Sequence, residues 1–350
     1  MSWLIALLIL SLMIFIHELG HYLAARIFGV YVEVFSIGFG KKLFSFRKFN
    51  TEWQISAIPL GGFVKMKGQN DSDPLSSNTE PDSYTSKRPW QRIIILFAGP
   101  FANFFLAWGF LLIISLNGVP TLSPIIGEVI VNSPANHAGL VKNDKIISIN
   151  HNYIQSWKDV SEAIKSTNSS LTFHILREQK PVSLVVTPTL MTTQNMFHET
   201  IEKPMVGIAP KGDITTLNLN LFQAVSYSLN ETYESSLMIF QGIEKLLTGV
   251  VSTKEIGGVV SITQVTANAA SAGWISLFYL SALISVNLGV LNLLPIPALD
   301  GGHIVFNLYE MLFRKPISET VMLQLTILGW IALLGLMTLG LYNDLTRIFG

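Results

Sequence analysis

The sequence contains no cysteine and few charged residues. The absence of cysteine excludes disulfide bonds and any metal site built from thiolates. Charged residues make up 13% of the 350 residues, against about 25% in an average soluble protein. The formal net charge is zero, so nothing indicates a nucleic-acid partner. With 49% hydrophobic residues and a mean hydropathy of +0.46, the composition is typical of a membrane protein with a water-soluble portion.

Four stretches are apolar and, at about 18 residues or more, long enough to cross a bilayer. They are residues 2–25, 93–117, 273–296 and 321–341. The first has no basic residue before its apolar run, and HELGH follows where a signal peptide would have a small-residue cleavage site. We therefore expect a membrane span at the N-terminus rather than a signal peptide.

Basic residues near the ends of these stretches predict the orientation. Those between the first two spans are Arg26, Lys41, Lys42, Arg47, Lys48, Lys87, Arg88 and Arg92, and those between the last two are Arg314 and Lys315. Residues 119–138, after the second span, contain no Lys or Arg. The positive-inside rule thus places both links in the cytoplasm, and both termini and the long middle segment outside. HELGH and the end of the third span then lie at similar depth, toward the cytoplasm.

The HELGH motif places three ionisable side chains inside the first span. His17 and His21 are four residues apart, so on a helix they share one face and can bind one zinc ion. Glu18 can reach a water held by that ion and take its proton. Unpaired ionisable groups in a span are costly, so a purely structural role is the weaker alternative.

A catalytic zinc usually has three protein ligands, and two histidines leave one to be found. Asp300 follows the third span, where Pro295 and Pro297 must break the helix and free the carboxylate to turn inward. The alternative is that Asp300 and the two glycines after it form only a turn into the next segment.

Two asparagines lie at membrane depth. Asn292 can hold an extended substrate backbone, or it can form a hydrogen bond between helices. Asn103 is preceded by Ala98, Gly99 and Ala102, small residues that favour close helix packing, so we interpret its side chain as an interhelical hydrogen-bonding group.

The segments outside the four spans have distinct patterns. Residues 32–67 alternate in the manner of β-strands and are interrupted by glycines, whereas 69–87 are polar. Residues 122–190 predict strand, turn-rich link, strand, helix, strand, strand. From 217 to 251 apolar residues recur with helical period, which predicts a helix on the membrane surface or, alternatively, one packed only on the soluble domain.

Together, HELGH in a first span, AGPFANF in a second and NLLPIPALDGGH in a third resemble the site-2 protease family of intramembrane zinc metalloproteases. The similarity is strongest to its bacterial branch, the regulator of sigma-E proteases. VEVFSIGFGKKLFSF, PLGGFVKMKG and GGVVSITQ also resemble that branch, so the likeness covers nearly the whole chain. SPANHAGLVKNDKIISINHNYIQSWKDVSEAI resembles a PDZ domain, a module that takes an extended peptide by strand addition.

The resemblance implies that His17, His21 and Asp300 bind one Zn²⁺, that Glu18 is the general base and that Asn292 holds the substrate. It implies a polytopic α-helical membrane protein with four transmembrane segments, a membrane-associated β-sheet that pairs with substrate, and one extracytoplasmic PDZ domain of α+β type. Well-known members carry two PDZ domains in tandem, whereas this chain has room for one.

The predicted organisation has eight parts. They are the first span with HELGH (1–30), the sheet region (31–68), a polar cytoplasmic loop (69–92), the second span (93–118), the PDZ domain with a flanking strand (119–214), an amphipathic surface helix with linker (215–272), the third span with the LDG motif (273–303) and the fourth span (318–345).

The predicted function is cleavage of single-span membrane proteins within the bacterial inner membrane, for example an anti-sigma factor or a signal-peptide remnant. Its partners would be those substrates, membrane lipid and a site-1-type protease that trims the substrate first. Two alternatives are a zinc transporter and an inactive PDZ receptor. A transporter would need ionisable groups along a path, and residues 93–117 and 321–341 contain none.

The predicted orientation is testable with fusions. A reporter that is active only in the cytoplasm should work after Ser77 or Lys315 and should be silent after Asn168 or at Gly350. The opposite pattern would place HELGH in the outer half of the bilayer.

Overall fold

The computed structural model describes residues 2–69, 80–167 and 169–349. Residues 70–79 of the polar loop predicted at 69–92, which include the fusion point Ser77, lie outside the described residues, as do Asn168 and Gly350. The chain forms two compact units. Residues 114–225 form the second unit, and the first unit comprises the segments before and after it.

Four helices of the first unit are long and apolar enough to cross a membrane. They are α1 (Ser2–Ile27), α2 (Pro89–Asn117), α7 (Trp274–Asn292) and α9 (Glu319–Phe349). Each contains one of the stretches expected to span the bilayer, or most of it. Helix α2 continues without interruption through Pro100, the residue after Gly99.

The segment predicted as the third span, 273–303, is divided in the structure. Helix α7 ends at Asn292, and a turn containing Pro295 and Pro297 separates it from α8 (Asp300–Phe313). Proline cannot donate a backbone hydrogen bond and clashes with the preceding helical turn, so the chain changes direction there. The 14-residue α8 occupies what the sequence indicated as a short link between spans.

A further helix, α6 (Val259–Ala272), lies in the segment predicted as linker. Its N-terminus is held by Asp344 of α9, whose carboxylate accepts hydrogen bonds from the backbone N–H groups of Gly258, Val260 and Ser261. The first N–H groups of a helix lack partners within the helix, and a carboxylate both satisfies them and complements the helix dipole. Asp344 thus fixes α6 to the last span.

The segment between α1 and α2 folds as two long strands, β1 (Val32–Lys48) and β2 (Thr51–Met66), paired antiparallel. β1 changes its pairing partner after Gly38 and Gly40, which both have positive φ. Residues 34–37 pair with 52–55 and also with 62–65, whereas 42–48 pair with 51–56. The pairing order is therefore 42–48, 51–56, 34–37, 62–65, and the first and last segments form the edges.

The second unit is a small α+β domain. Its helices and strands are β3 (Val119–Leu122), β4 (Ile126–Val129), α3 (Pro134–His137), β5 (Lys145–Ile149), β6 (Asn152–Tyr153), α4 (Trp157–Lys165), β7 (Leu171–Arg177), β8 (Lys180–Val186), β9 (Thr189–Gln194), β10 (Thr200–Met205), β11 (Ile208–Pro210) and β12 (Ile214–Leu217). The four-stranded sheet has the order β6-β5-β7-β8, and β4, β3 and β10 pair with β11, β12 and β9. The expected strand–helix–strand–strand order of β5, α4, β7 and β8 is present, whereas the β9–β10 hairpin was not predicted.

One core and one ion pair hold this unit. Phe173 and Ile146 are fully buried in the core, where Val160 of α4 packs against the sheet. Asp144 is fully buried and accepts two hydrogen bonds from Arg177, which raises the pKa of the guanidinium above its usual value. A buried charge needs such a partner, so this pair fixes the start of β5 against the end of β7.

The helical period at 217–251 corresponds to α5 (Leu221–Leu247). Several of its large apolar side chains are exposed, among them Phe222, Leu229, Tyr233 and Phe240. The position of this face on the membrane surface stays a prediction.

Candidate metal centre

Helix α1 brings His17, Glu18 and His21 into one turn, as the motif spacing predicts. Gly20 lies between them and faces α2. A carbon atom added at Gly20 would lie 2.2 Å from the carbonyl oxygen of Ala98 and 2.9 Å from the Cβ of Ala102. The two helices therefore approach closely where the small residues AGPFA predicted close packing.

The His21 ring occupies the space left by the missing side chain of Gly99. A carbon added at Gly99 would lie 2.1 Å from His21 Nε2, so any larger residue would displace the ring. His21 Nδ1–H donates a hydrogen bond of 2.8 Å to the carbonyl oxygen of Ile95. This bond places the ring proton on Nδ1 and leaves the lone pair of Nε2 for a metal.

Asp300 begins α8, immediately after the proline-containing turn. The two glycines that follow are required by packing, because carbons added at Gly301 and Gly302 would lie 2.3 Å from the carbonyl oxygens of Leu294 and Ile296. Helix α8 thus folds tightly back on the end of the third span. Asp300 is more than part of a turn, because its Oδ2 atom lies within 3.4 Å of the Nε2 atoms of both histidines of α1.

Three ligand atoms form a nearly equilateral triangle. The His17 Nε2–His21 Nε2 distance is 3.2 Å, and Asp300 Oδ2 lies 3.3 Å from the first and 3.4 Å from the second. Atoms bound at about 2.0–2.1 Å to a tetrahedral zinc lie about 3.3–3.4 Å apart. The triangle therefore has the spacing of one face of a zinc tetrahedron, and the residues would fit that ion in number, chemistry and spacing.

Two of the three candidate ligands, His17 and Asp300, line a cavity of about 330 Å³. Glu18 lines this cavity beside His17 and Asp300, and the last span contributes Thr326 and Trp330. Glu18 is thus next to the triangle but is not one of its corners. Sequence reasoning missed Thr326 and Trp330, because their contribution to the cavity depends on how α9 packs.

Both membrane asparagines also reach this cavity. Asn292 Nδ2 lies 3.4 Å from His17 Nε2, at the end of α7 and beside the triangle. Asn103 Nδ2 lies 3.2 Å from His17 Nδ1 of α1, which agrees with the interpretation of this side chain as an interhelical hydrogen-bonding group. It contacts a candidate ligand, a role that the motif AGPFANF alone does not indicate.

One edge of the sheet reaches the same cavity. Gly61, Gly62 and Phe39 line it, and a carbon added at Gly62 would lie 3.1 Å from the Cγ of Glu18. Within the described residues, the outer edge of 62–65 is not paired with another strand, whereas 52–55 pair on both sides. Within β2, which belongs to the sheet expected to pair with substrate, only the last part has a free edge beside the metal centre among the described residues.

Comparison with known proteins gives the family. The sequence pattern of peptidase family M50 matches residues 5–336, which include every residue of the triangle. The chain belongs to this family, the site-2 proteases. It is therefore a zinc-dependent protease, and the zinc-ligand geometry described above agrees with that membership.

Three relatives align with nearly the whole length of this chain. A Campylobacter jejuni protein named "Putative zinc metalloprotease Cj1068" is 43% identical over 349 residues, which cover 100% of this chain and 94% of that protein. A Helicobacter pylori protein named as a zinc metalloprotease of the same kind is 39% identical over 99% of both chains. The regulator of sigma-W protease RasP of Bacillus subtilis is 30% identical over 98% of both chains.

The close contact between Gly99 and the His21 ring predicts how zinc affinity responds to a larger residue at this position. Gly99→Ala should displace the His21 ring and lower zinc affinity about 10- to 100-fold, measured by chelator competition on the purified protein. Gly109→Ala, on the same helix, is the matched control, because a carbon added there meets nothing within 4 Å. Equal zinc affinity in both variants would contradict the placement of His21.

Proposed function

We propose that this protease cleaves the transmembrane segments of single-span proteins, with His17, His21 and Asp300 as the zinc ligands and Glu18 as the general base. The observation that carries the proposal is the triangle of candidate ligand atoms at 3.2–3.4 Å, with Glu18 in the same cavity as a strand edge that pairs with no other strand among the described residues. A peptide on that edge would have its backbone close to the metal position.

The roles follow from chemistry. Zinc supplies a Lewis acid that lowers the pKa of a water to about 7 and polarises the scissile carbonyl. Glu18, next to the first ligand, takes the proton of the attacking water and later gives it to the leaving nitrogen. His21 is held by Ile95 and Asp300 by the start of α8, so both side chains keep their positions during turnover.

The substrate has to be extended before it is cut, because a helix hides its carbonyls in its own hydrogen bonds. The edge of 62–65 offers backbone groups for strand addition, which would hold a locally unwound segment straight. Asn292, beside the triangle, offers an amide to the same backbone. Binding in one extended conformation also aligns the scissile bond with Glu18.

The proposal also assigns a membrane, an orientation and a class of substrates to this chain. The basic links between spans favour the bacterial inner membrane, with both termini and the second unit extracytoplasmic. The name of the Bacillus subtilis relative refers to sigma-factor regulation. For this chain we propose substrates of that kind, an anti-sigma factor already trimmed by a site-1-type protease, or remnant signal peptides.

The second unit is proposed to be a PDZ domain. Its groove lies between α4 and residues 203–208, lined by Trp157, Val160 and Ile164 on the helix side. A helix beside a strand with an apolar groove between them suits an extended peptide that adds along the strand. We propose that this domain restricts the entry of bulky substrates rather than recruiting substrates.

The catalytic roles are separable by two variants. Glu18→Gln keeps the shape and both imidazoles, so zinc should stay near one ion per chain while cleavage of a membrane-embedded substrate falls about 10²- to 10⁴-fold. Asp300→Ala removes one corner of the triangle and should reduce both bound zinc and cleavage. Metal content and cleavage are measured on the same detergent-purified samples. Substantial cleavage by Glu18→Gln, or full zinc in Asp300→Ala, would refute the respective role.

The role of the second unit is testable by excision. Leu122 pairs with Ile214, so residues 123–213 can be replaced by a short Gly-Ser linker between adjacent chain ends. The excised protein should still cut a trimmed substrate and should cut the untrimmed one faster than the wild type does. Slower cutting of the trimmed substrate by a correctly inserted, zinc-loaded protein would show recruitment instead.

A further inference from the structure

Asn103 is fully buried on α2, one helical turn after Gly99. One end of its amide lies 3.2 Å from His17 Nδ1. The other end, Oδ1, is buried and has no hydrogen-bond partner among the described residues. A buried amide oxygen without a partner is unfavourable, so the arrangement requires an explanation.

Helix packing does not supply that explanation. The contact between α2 and α7 at this level uses the backbone of Asn103, whose carbonyl oxygen accepts a 2.8 Å hydrogen bond from Ser285 Oγ. The side-chain amide is therefore not needed to join those helices. It is directed at His17 instead.

The chemistry of the triangle fixes the proton on His17. A neutral imidazole binds metal through the nitrogen that has no proton. Because Nε2 is the corner of the triangle, the proton must be on Nδ1, and Nδ1–H requires an acceptor. The two ends of an amide have nearly the same shape, so a half-turn of the Asn103 amide puts the unpartnered oxygen at that position.

We infer that Asn103 is a positioning residue, whose Oδ1 accepts a hydrogen bond from His17 Nδ1–H and orients the ring for zinc. This inference rests on the proposed ligand set. Ile95, Gly99 and Asn103 are spaced by four residues and so lie on one face of α2. This face would therefore position both histidines in addition to packing against α1. Ile95 accepts from His21, Gly99 leaves room for its ring, and Asn103 accepts from His17.

The test compares zinc affinity in three variants of the full-length protein, by chelator competition. Asn103→Leu removes the acceptor at similar size and should lower affinity about 10- to 100-fold. Asn103→Asp keeps an acceptor oxygen and should stay within about threefold of the wild type. Ser285→Ala, which removes only the contact to the backbone of Asn103, should bind zinc as the wild type does.

If Asn103 only stabilised the fold, replacing it would lower stability without changing the orientation of the metal ligands. The Co²⁺-substituted proteins provide the second readout, because the visible absorption bands of the metal depend on ligand orientation. They should change in Asn103→Leu and be preserved in Asn103→Asp and Ser285→Ala. If Asn103→Leu does not fold, Asn103→Ala, which adds no bulk, takes its place in the comparison.

The outcomes separate this inference from the proposed ligand set. Wild-type zinc affinity in Asn103→Leu, or an equal loss in Asn103→Asp and Asn103→Leu, would overturn the positioning role. If Asp300→Ala loses zinc while Asn103→Leu does not, only the inference about Asn103 fails. If Asp300→Ala keeps zinc, the ligand set itself fails.

Discussion

The close approach of α1 and α2 is the constraint on which the rest of the structure depends. Two glycines make it possible, since side chains at Gly20 and Gly99 would collide with Ala98 and with the His21 ring. In lipid, helices gain little from apolar contact alone, and small residues allow the backbones to pack. Here the same packing places a polar ring between two apolar helices and gives it a carbonyl partner. The helix–helix contact and the metal centre are therefore one feature, and neither can be altered alone.

The sheet solves a second problem of the membrane environment. An unpaired strand edge is costly where water is scarce, and it invites pairing with any extended chain. The pairing order leaves such an edge at 62–65, beside the cavity. Gly62 has no side chain to hold a neighbouring strand away from Glu18. In the proposed function, this edge lies where the scissile peptide bond would bind.

The sequence predicted some of these features and missed others for physical reasons. His17, Glu18 and His21 followed from spacing alone, because a helix fixes which residues share a face. Asp300 depends on a backbone turn between distant segments, so the cost of an ionisable group at the membrane only moderately favoured a ligand over a simple turn, and the family resemblance strengthened that prediction. Helix α8 was missed because 14 residues after two prolines do not show a bilayer-length run. The contact of Asn103 with His17 depends on how α2 is rotated, which no local pattern encodes.

The position of HELGH along α1 determines what kind of products cleavage would leave. Six residues follow His21 before the helix ends at Ile27, and they span about 9 Å at 1.5 Å per residue. In the proposed orientation, a substrate cut at that depth keeps only about six apolar residues on its cytoplasmic fragment. A stable span needs about 20, so this fragment would detach from the bilayer, whereas most of the apolar segment would stay with the other fragment. The depth of one motif in one helix would thus make proteolysis release a protein to one side of the membrane only.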